Sequence, residues 1–247
     1  MAIVLMPLPT RDFDPTESGV PWKVLTESGH EVVFATPQGE LGCADERMLT
    51  GEGLSIWKPI LIADGNGRRA YREMAATASF QRPLAYADLA TTRFDALILP
   101  GGHAPGMKEY LESPILQSLV AASFGADKPV GAICHGVLLA ARSRRADGIS
   151  VLHGRRTTAL TRQLELTGWA LTVLWLGNYY RTYPKTVQAE VTEALARPAD
   201  FVTGPLSTSR DGPSRRGPGF TLRDGNYLSA RWPGDAHRFG HDFAAML

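Results

Sequence analysis

The chain has 247 residues, of which 44% are hydrophobic and 21% charged, and its formal net charge is +1. Such a composition can bury a sizeable core, and a charge this close to zero argues against a protein built to coat nucleic acid or an anionic membrane. Its two cysteines, Cys43 and Cys134, are too few for a disulfide framework and fit a reducing compartment. The longest apolar stretch, Trp169 to Leu176, is far short of the roughly 20 residues a membrane span requires, so a soluble, cytoplasmic protein is expected.

In chain order, Met1 to Leu8 lacks a basic flank and reads as a buried first strand, Ala2 to Met6, rather than a signal peptide. Pro21 to Ser28 is helical and Gly29 stops it. Glu31 to Ala35 is the second strand. Thr36 to Thr92 is Gly-rich and weakly periodic, and reads as an irregular insertion over one edge of a sheet. Ala96 to Leu99 is a third strand, ended by Pro100, Gly101 and Gly102. Ser113 as N-cap, Pro114 in the first helical position and a terminal Gly125 frame the next helix.

Val130 to Ile133 is a fourth buried strand. It runs into Cys134-His135-Gly136 and a helix from Val137 to about Arg142. Gln163 to Tyr183 is apolar around most of its circumference, and a helix of that kind must be covered: it roofs a pocket, joins a dimer contact or sits in the core. Ser207 to Gly219 has the composition of a mobile loop. Asp224-Gly225-Asn226 between Phe220–Arg223 and Tyr227–Arg231 is a hairpin signal, and Asp235 caps a last helix through Phe243. Strands alternating with helices predict an α/β fold with a mainly parallel sheet, and with no internal repeat or second core the whole chain reads as one domain.

In such a sheet, ligands bind beyond the carboxyl ends of the strands. Cys134 stands at one of these ends, with Ala132 two residues before it and Gly136 two after, the small neighbours that a tight strand-nucleophile-helix turn needs. The positive end of the following helix favours a thiolate, so an exposed and readily ionised sulfur is expected. The other reading makes Cys134 an inert core residue.

Three segments carry a family resemblance: Phe94 to Gly102 (FDALILPGG), Leu111 to Pro114 (LESP) and Lys128 to Gly136 (KPVGAICHG). They resemble the ThiJ/PfpI superfamily, the class I glutamine amidotransferase-like proteins, and especially its heat-shock glutathione-independent glyoxalase and parkinsonism-associated deglycase branches. The likeness continues through Asp12 to Pro21, Leu152 to Glu165 and Asp224 to Asp235. It implies a three-layer α/β/α sandwich with a flavodoxin-like sheet, formed as a single domain over residues 1–247.

The resemblance also implies roles. Cys134 would be the nucleophile and His135 the proton shuttle. Glu17 would be the acid beside the sulfur, with Gly101 and Gly102 as backbone of an oxyanion site together with the His135 N–H. Glu165 would be the third member of a triad that orients the imidazole, although Ala159 and Leu160 depart from the T-G-F-T-x-x-x-E pattern of that branch. No histidine is followed two residues later by glutamate, which argues against glutamine hydrolysis. His237 and His241 are four apart on the last helix with no third ligand, so no metal is expected, and Cys43 is given no role.

The implied activity is cofactor-free chemistry on a small reactive carbonyl compound, by a homodimer. Two alternatives remain open on the same elbow: another hydrolase or hydratase (peptidase, amidase or isonitrile hydratase), and a non-catalytic redox sensor or chaperone whose Cys134 is oxidised.

Overall fold

The computed structural model describes residues 1–206 and 208–247. The first strand, β1 (Ile3–Pro7), leads through a short β2 (Arg11–Phe13) to helix α1 (Pro15–Glu27) and strand β3 (Glu31–Thr36). Then follow β4 (Cys43–Ala44), α2 (Glu46–Thr50), α3 (Lys58–Leu61), α4 (Gly65–Ala75), α5 (Ala78–Gln81), β5 (Leu84–Ala85) and β6 (Ala96–Leu99). The second half comprises α6 (Met107–Leu111), α7 (Pro114–Gly125), β7 (Val130–Ile133), α8 (Gly136–Arg142), α9 (Arg162–Ala170), α10 (Val173–Leu176) and α11 (Val187–Ala194). The hairpin β8 (Thr221–Asp224) and β9 (Tyr227–Ala230) precedes the last helix, α12 (Ala236–Ala244).

Seven strands form one sheet in the order β5-β3-β1-β6-β7-β9-β8, parallel throughout except for the β8–β9 hairpin. All four residues of β6 and of β7 are buried, as expected of central parallel strands covered on both faces. One group of helices (α1, α4 and α12) and another (α7, α8 and α11) pack on the sheet, giving the expected three-layer α/β/α flavodoxin-like fold. Among the described residues no helix is long and apolar enough to cross a membrane.

Three expectations are corrected. Helix α1 begins at Pro15 rather than Pro21: Asp14 accepts the N–H groups of Thr16 and Glu17 at 2.7 and 3.0 Å, and Pro15 takes the first helical position, where no N–H is needed. Residues 36–92 are not irregular. They supply edge strand β5 beside β3 and helix α4 against α1, and α4 buries Gly67, Ala70 and Met74 between arginines. The segment 163–183 is two short helices rather than one: Thr172 bonds back to Gly168 and Trp169 at the end of α9, and Gly177, with φ +57°, ends α10. Leu174 there is 90% exposed. Of the loop expected at 207–219, position 207 lies outside the described residues. Asp211 accepts the N–H groups of His237 and Arg238 at 3.2 and 2.7 Å, tying the segment to the start of α12.

Candidate active site

Strand β7 delivers Cys134 to the end of the sheet. The Cys134 N–H still donates to the Ala230 carbonyl of β9 at 3.1 Å, yet its φ is already +57°. A side-chain-bearing residue in that region costs of order 1–3 kcal/mol and persists only where its surroundings enforce it. They do so here, because α8 starts hard against β6. A Cβ on Gly136 would lie 2.1 Å from the Leu99 carbonyl oxygen, so the turn closes only with glycine. The strained elbow expected from the sequence is therefore present.

The expected state of the sulfur is overturned. Cys134 is only 3% exposed, and burial pushes its thiol well up from the ordinary range, with the negative charges of Glu17 and Asp14 adding to the effect and the His135 N–H opposing it. Helix α8 has seven residues, and its dipole does not outweigh the loss of water around the sulfur.

Glu17 is brought to the sulfur by the first turn of α1. It is fully buried, neither carboxyl oxygen has a hydrogen-bond partner of good geometry, and its polar neighbours are the Cys134 thiol and the Gly101 N–H. Burial, and then the charge of Asp14, push it well above the usual carboxylate range, which favours the protonated form, an acid with a proton to donate. Gly101 leaves room for this contact: a Cβ there would lie 2.5 Å from Glu17 Oε2 and 2.8 Å from Cys134 Cβ.

His135 is 1% exposed, with Nδ1 3.5 Å from Cys134 Sγ and Nε2 3.2 Å from Thr182 Oγ1. Thr182 has one hydroxyl proton and donates it to the His103 carbonyl at 2.8 Å, so its oxygen accepts the Nε2–H of His135. Nδ1 is thereby left as a bare acceptor facing the thiol. Burial, with the nearby His103 and Arg142, lowers the imidazole to about 3, which keeps it neutral.

Glu165 does not take the expected place at the imidazole. It sits one turn into α9, whose N-cap is Thr161. Its carboxylate accepts the Val187 N–H at 2.8 Å at the start of α11 and pairs with Arg181 at 3.4 Å. Burial raises it to about 6. The sequence pattern located Glu165 near the site, whereas the partner that orients His135 is Thr182, which carries no motif.

A cavity of about 230 Å³ opens onto Cys134. Its wall includes Asp14, His103, Leu160, Glu165, Tyr180, Arg210 and Trp232, and parts of α9 cover it as the roof reading of the aromatic segment envisaged. His135 is not on that wall. His103 is: it follows Gly102 directly, its ring lies 4.0 Å from that of Tyr180, and burial lowers it to about 4. Its position just past the Pro-Gly-Gly strand end was the available signal. Trp232 lies in Asp224 to Asp235, which carries the family likeness but gives that residue no role, and Arg210, from a distant segment, had no signal.

A family model described as ThiJ/PfpI family-like matches residues 8–205. The chain is 37% identical over 237 residues to a deglycase of Pyrococcus abyssi, an alignment covering 95% of this chain and 93% of that protein. It is 34% identical over 116 residues to an uncharacterized protein of Schizosaccharomyces pombe, covering 46% of this chain and 42% of the relative, so it spans less than half of that relative's length. Among solved structures it is similar to glyoxalase III from Candida albicans, with a TM-score of 0.71 at 19% identity, covering 100% of this chain and 97% of that one.

Proposed function

The chain belongs to the ThiJ/PfpI family, and from that premise we propose that it is a cysteine-dependent enzyme converting small 2-oxoaldehydes to 2-hydroxy acids. The observation that carries this reading is a strained Cys134 on the wall of a small cavity, with a bare imidazole nitrogen on one side and a neutral carboxylic acid on the other. The names of two similar proteins, a deglycase and a glyoxalase III, point to the same reactive-carbonyl chemistry.

In this mechanism Cys134 Sγ attacks the aldehyde carbon while its proton passes to Nδ1 of His135, so no standing thiolate is needed. Glu17 donates a hydrogen bond to the sulfur, and the N–H groups of Gly102 and His135 are the candidates to receive the developing oxyanion. The hemithioacetal then loses its C1 proton and regains one at C2 through an enediol. His103 is the base for that transfer, since it faces the cavity and stays neutral above pH 4. Water hydrolyses the resulting thioester. The aldehyde carbon is oxidised as its neighbour is reduced, so no redox cofactor takes part.

The test is lactate formation from methylglyoxal by the purified protein. Wild type should turn over and Cys134→Ala should not; a wild type without turnover refutes the reading.

A further inference from the structure

Arg210 is the unsatisfied cation of the cavity wall. Its Nη2 donates to the carbonyls of Ile60 and Ile62, each at 3.3 Å, but Nη1 is enclosed with no acceptor. Its guanidinium lies 5.7 Å from the ring of Trp232, whose indole N–H is likewise enclosed and without an acceptor. Two buried donors without hydrogen-bond partners on one wall are costly.

The acids on the same wall have other hydrogen-bond partners, although the charge of Arg210 reaches Asp14 and lowers its carboxyl. Asp14 accepts two N–H groups at the start of α1, and Glu165 is held by the Val187 N–H and Arg181. Among the described residues no carboxylate is in ion-pair contact with Arg210.

Building on the proposed function, we infer that the substrate is anionic: a short 2-oxoaldehyde whose far end carries a carboxylate, received by Arg210 and the Trp232 indole while its aldehyde meets Cys134. A guanidinium and a carboxylate pair through parallel charge-assisted hydrogen bonds, and the indole N–H adds a third donor. The cavity of about 230 Å³ holds about eight water-sized groups at roughly 30 Å³ each, which suits a small aliphatic chain. A compound of this class, 4,5-dioxopentanoate, would add water and give 2-hydroxyglutarate. Its aldehyde carbon rises to the acid level as the adjacent ketone falls to the alcohol, with no external oxidant.

The experiment compares kcat/KM for 4,5-dioxopentanoate and methylglyoxal in wild type, Arg210→Met and Arg210→Lys, and measures binding of the unreactive probe glutarate by calorimetry. Wild type should prefer the charged aldehyde at least about tenfold. Arg210→Met should erase that preference, chiefly through KM, and Arg210→Lys should keep part of it, as expected of a lost charge-assisted contact. Glutarate binding should weaken about tenfold or more in Arg210→Met. A wild type with no preference, or a preference unchanged in Arg210→Met, overturns the inference while leaving the proposed function intact. If neither aldehyde is turned over, the proposed function fails and glutarate decides: binding that depends on Arg210 upholds the anion site, and no binding to wild type overturns it.

Discussion

The hydroxyl of Thr182 and Nε2 of His135 lie 3.2 Å apart, and this contact decides which imidazole nitrogen carries the proton. Because Thr182 spends its own proton on the His103 carbonyl, it ties the ring beside the sulfur to the backbone of the histidine on the cavity wall. Thr182→Val should therefore lower kcat by about tenfold to a hundredfold, the range for losing a buried hydrogen bond at a reacting group. Nitrogen NMR of His135 gives an independent reading: protonated Nε2 and bare Nδ1 in wild type, a mixed population in the variant. A wild-type ring protonated on Nδ1 would contradict the arrangement.

In the proposed mechanism Glu17 acts as a proton-bearing donor to the sulfur, the form that its burial favours. Glu17→Gln, which retains a neutral donor, should alkylate at Cys134 with iodoacetamide within about threefold of wild type. Glu17→Ala, which removes the donor, should react about tenfold or more slowly. Equal rates in all three proteins would deny the carboxyl any part in preparing the sulfur.

With His103 as the base of the proposed mechanism, its titration sets the acid limit of turnover. Burial lowers its imidazole to about 4, so the neutral base is present above that pH and disappears as the pH falls through it. The kcat profile should fall on the acid side near pH 4. His103→Gln should reduce kcat by about a hundredfold, in the range of general-base catalysis, while leaving Cys134 open to alkylation.

Asp211 links stability to pH away from the chemistry. Burial raises its carboxyl to about 7, so between the unfolded value of about 3.8 and that figure the native state holds more protons than the unfolded one. The associated stability is complete below about pH 4 and is lost as the pH rises through about 7. Thermal melts of wild type and Asp211→Asn should show the wild type losing stability relative to the variant across that window. Parallel curves would place the titration elsewhere.

The sequence made the centre of the sheet readable because its strands are buried on both faces: Ala96–Leu99 and Val130–Ile133 are strands with the boundaries expected. The bend at Cys134 was legible for the same reason, since a buried strand that meets a small residue and a helix has few ways to turn. The start of α1 lies in the capping signal Asp14-Pro15-Thr16-Glu17, ahead of the apolar residues from which a helix is expected. The arginines of α4 hid a narrow stripe of Gly67, Ala70 and Met74. The ionisation of the thiol was misjudged because a helix terminus is visible in sequence and the exclusion of water is not. The parts of Thr182, Arg210 and Trp232 in the site are not legible in the sequence, because each joins it only through tertiary packing.

The cavity draws its floor and its outer wall from different sources. The elbow of β7, with Gly136 pressed on Leu99, fixes Cys134, the proposed nucleophile, whereas α9, the 60–63 segment and the 208–210 segment lie outside the seven-stranded sheet. Selectivity and reactivity can thus diverge independently. Exchanging the peripheral segments between paralogues should retune which aldehyde is accepted without disturbing the bond-making machinery beneath.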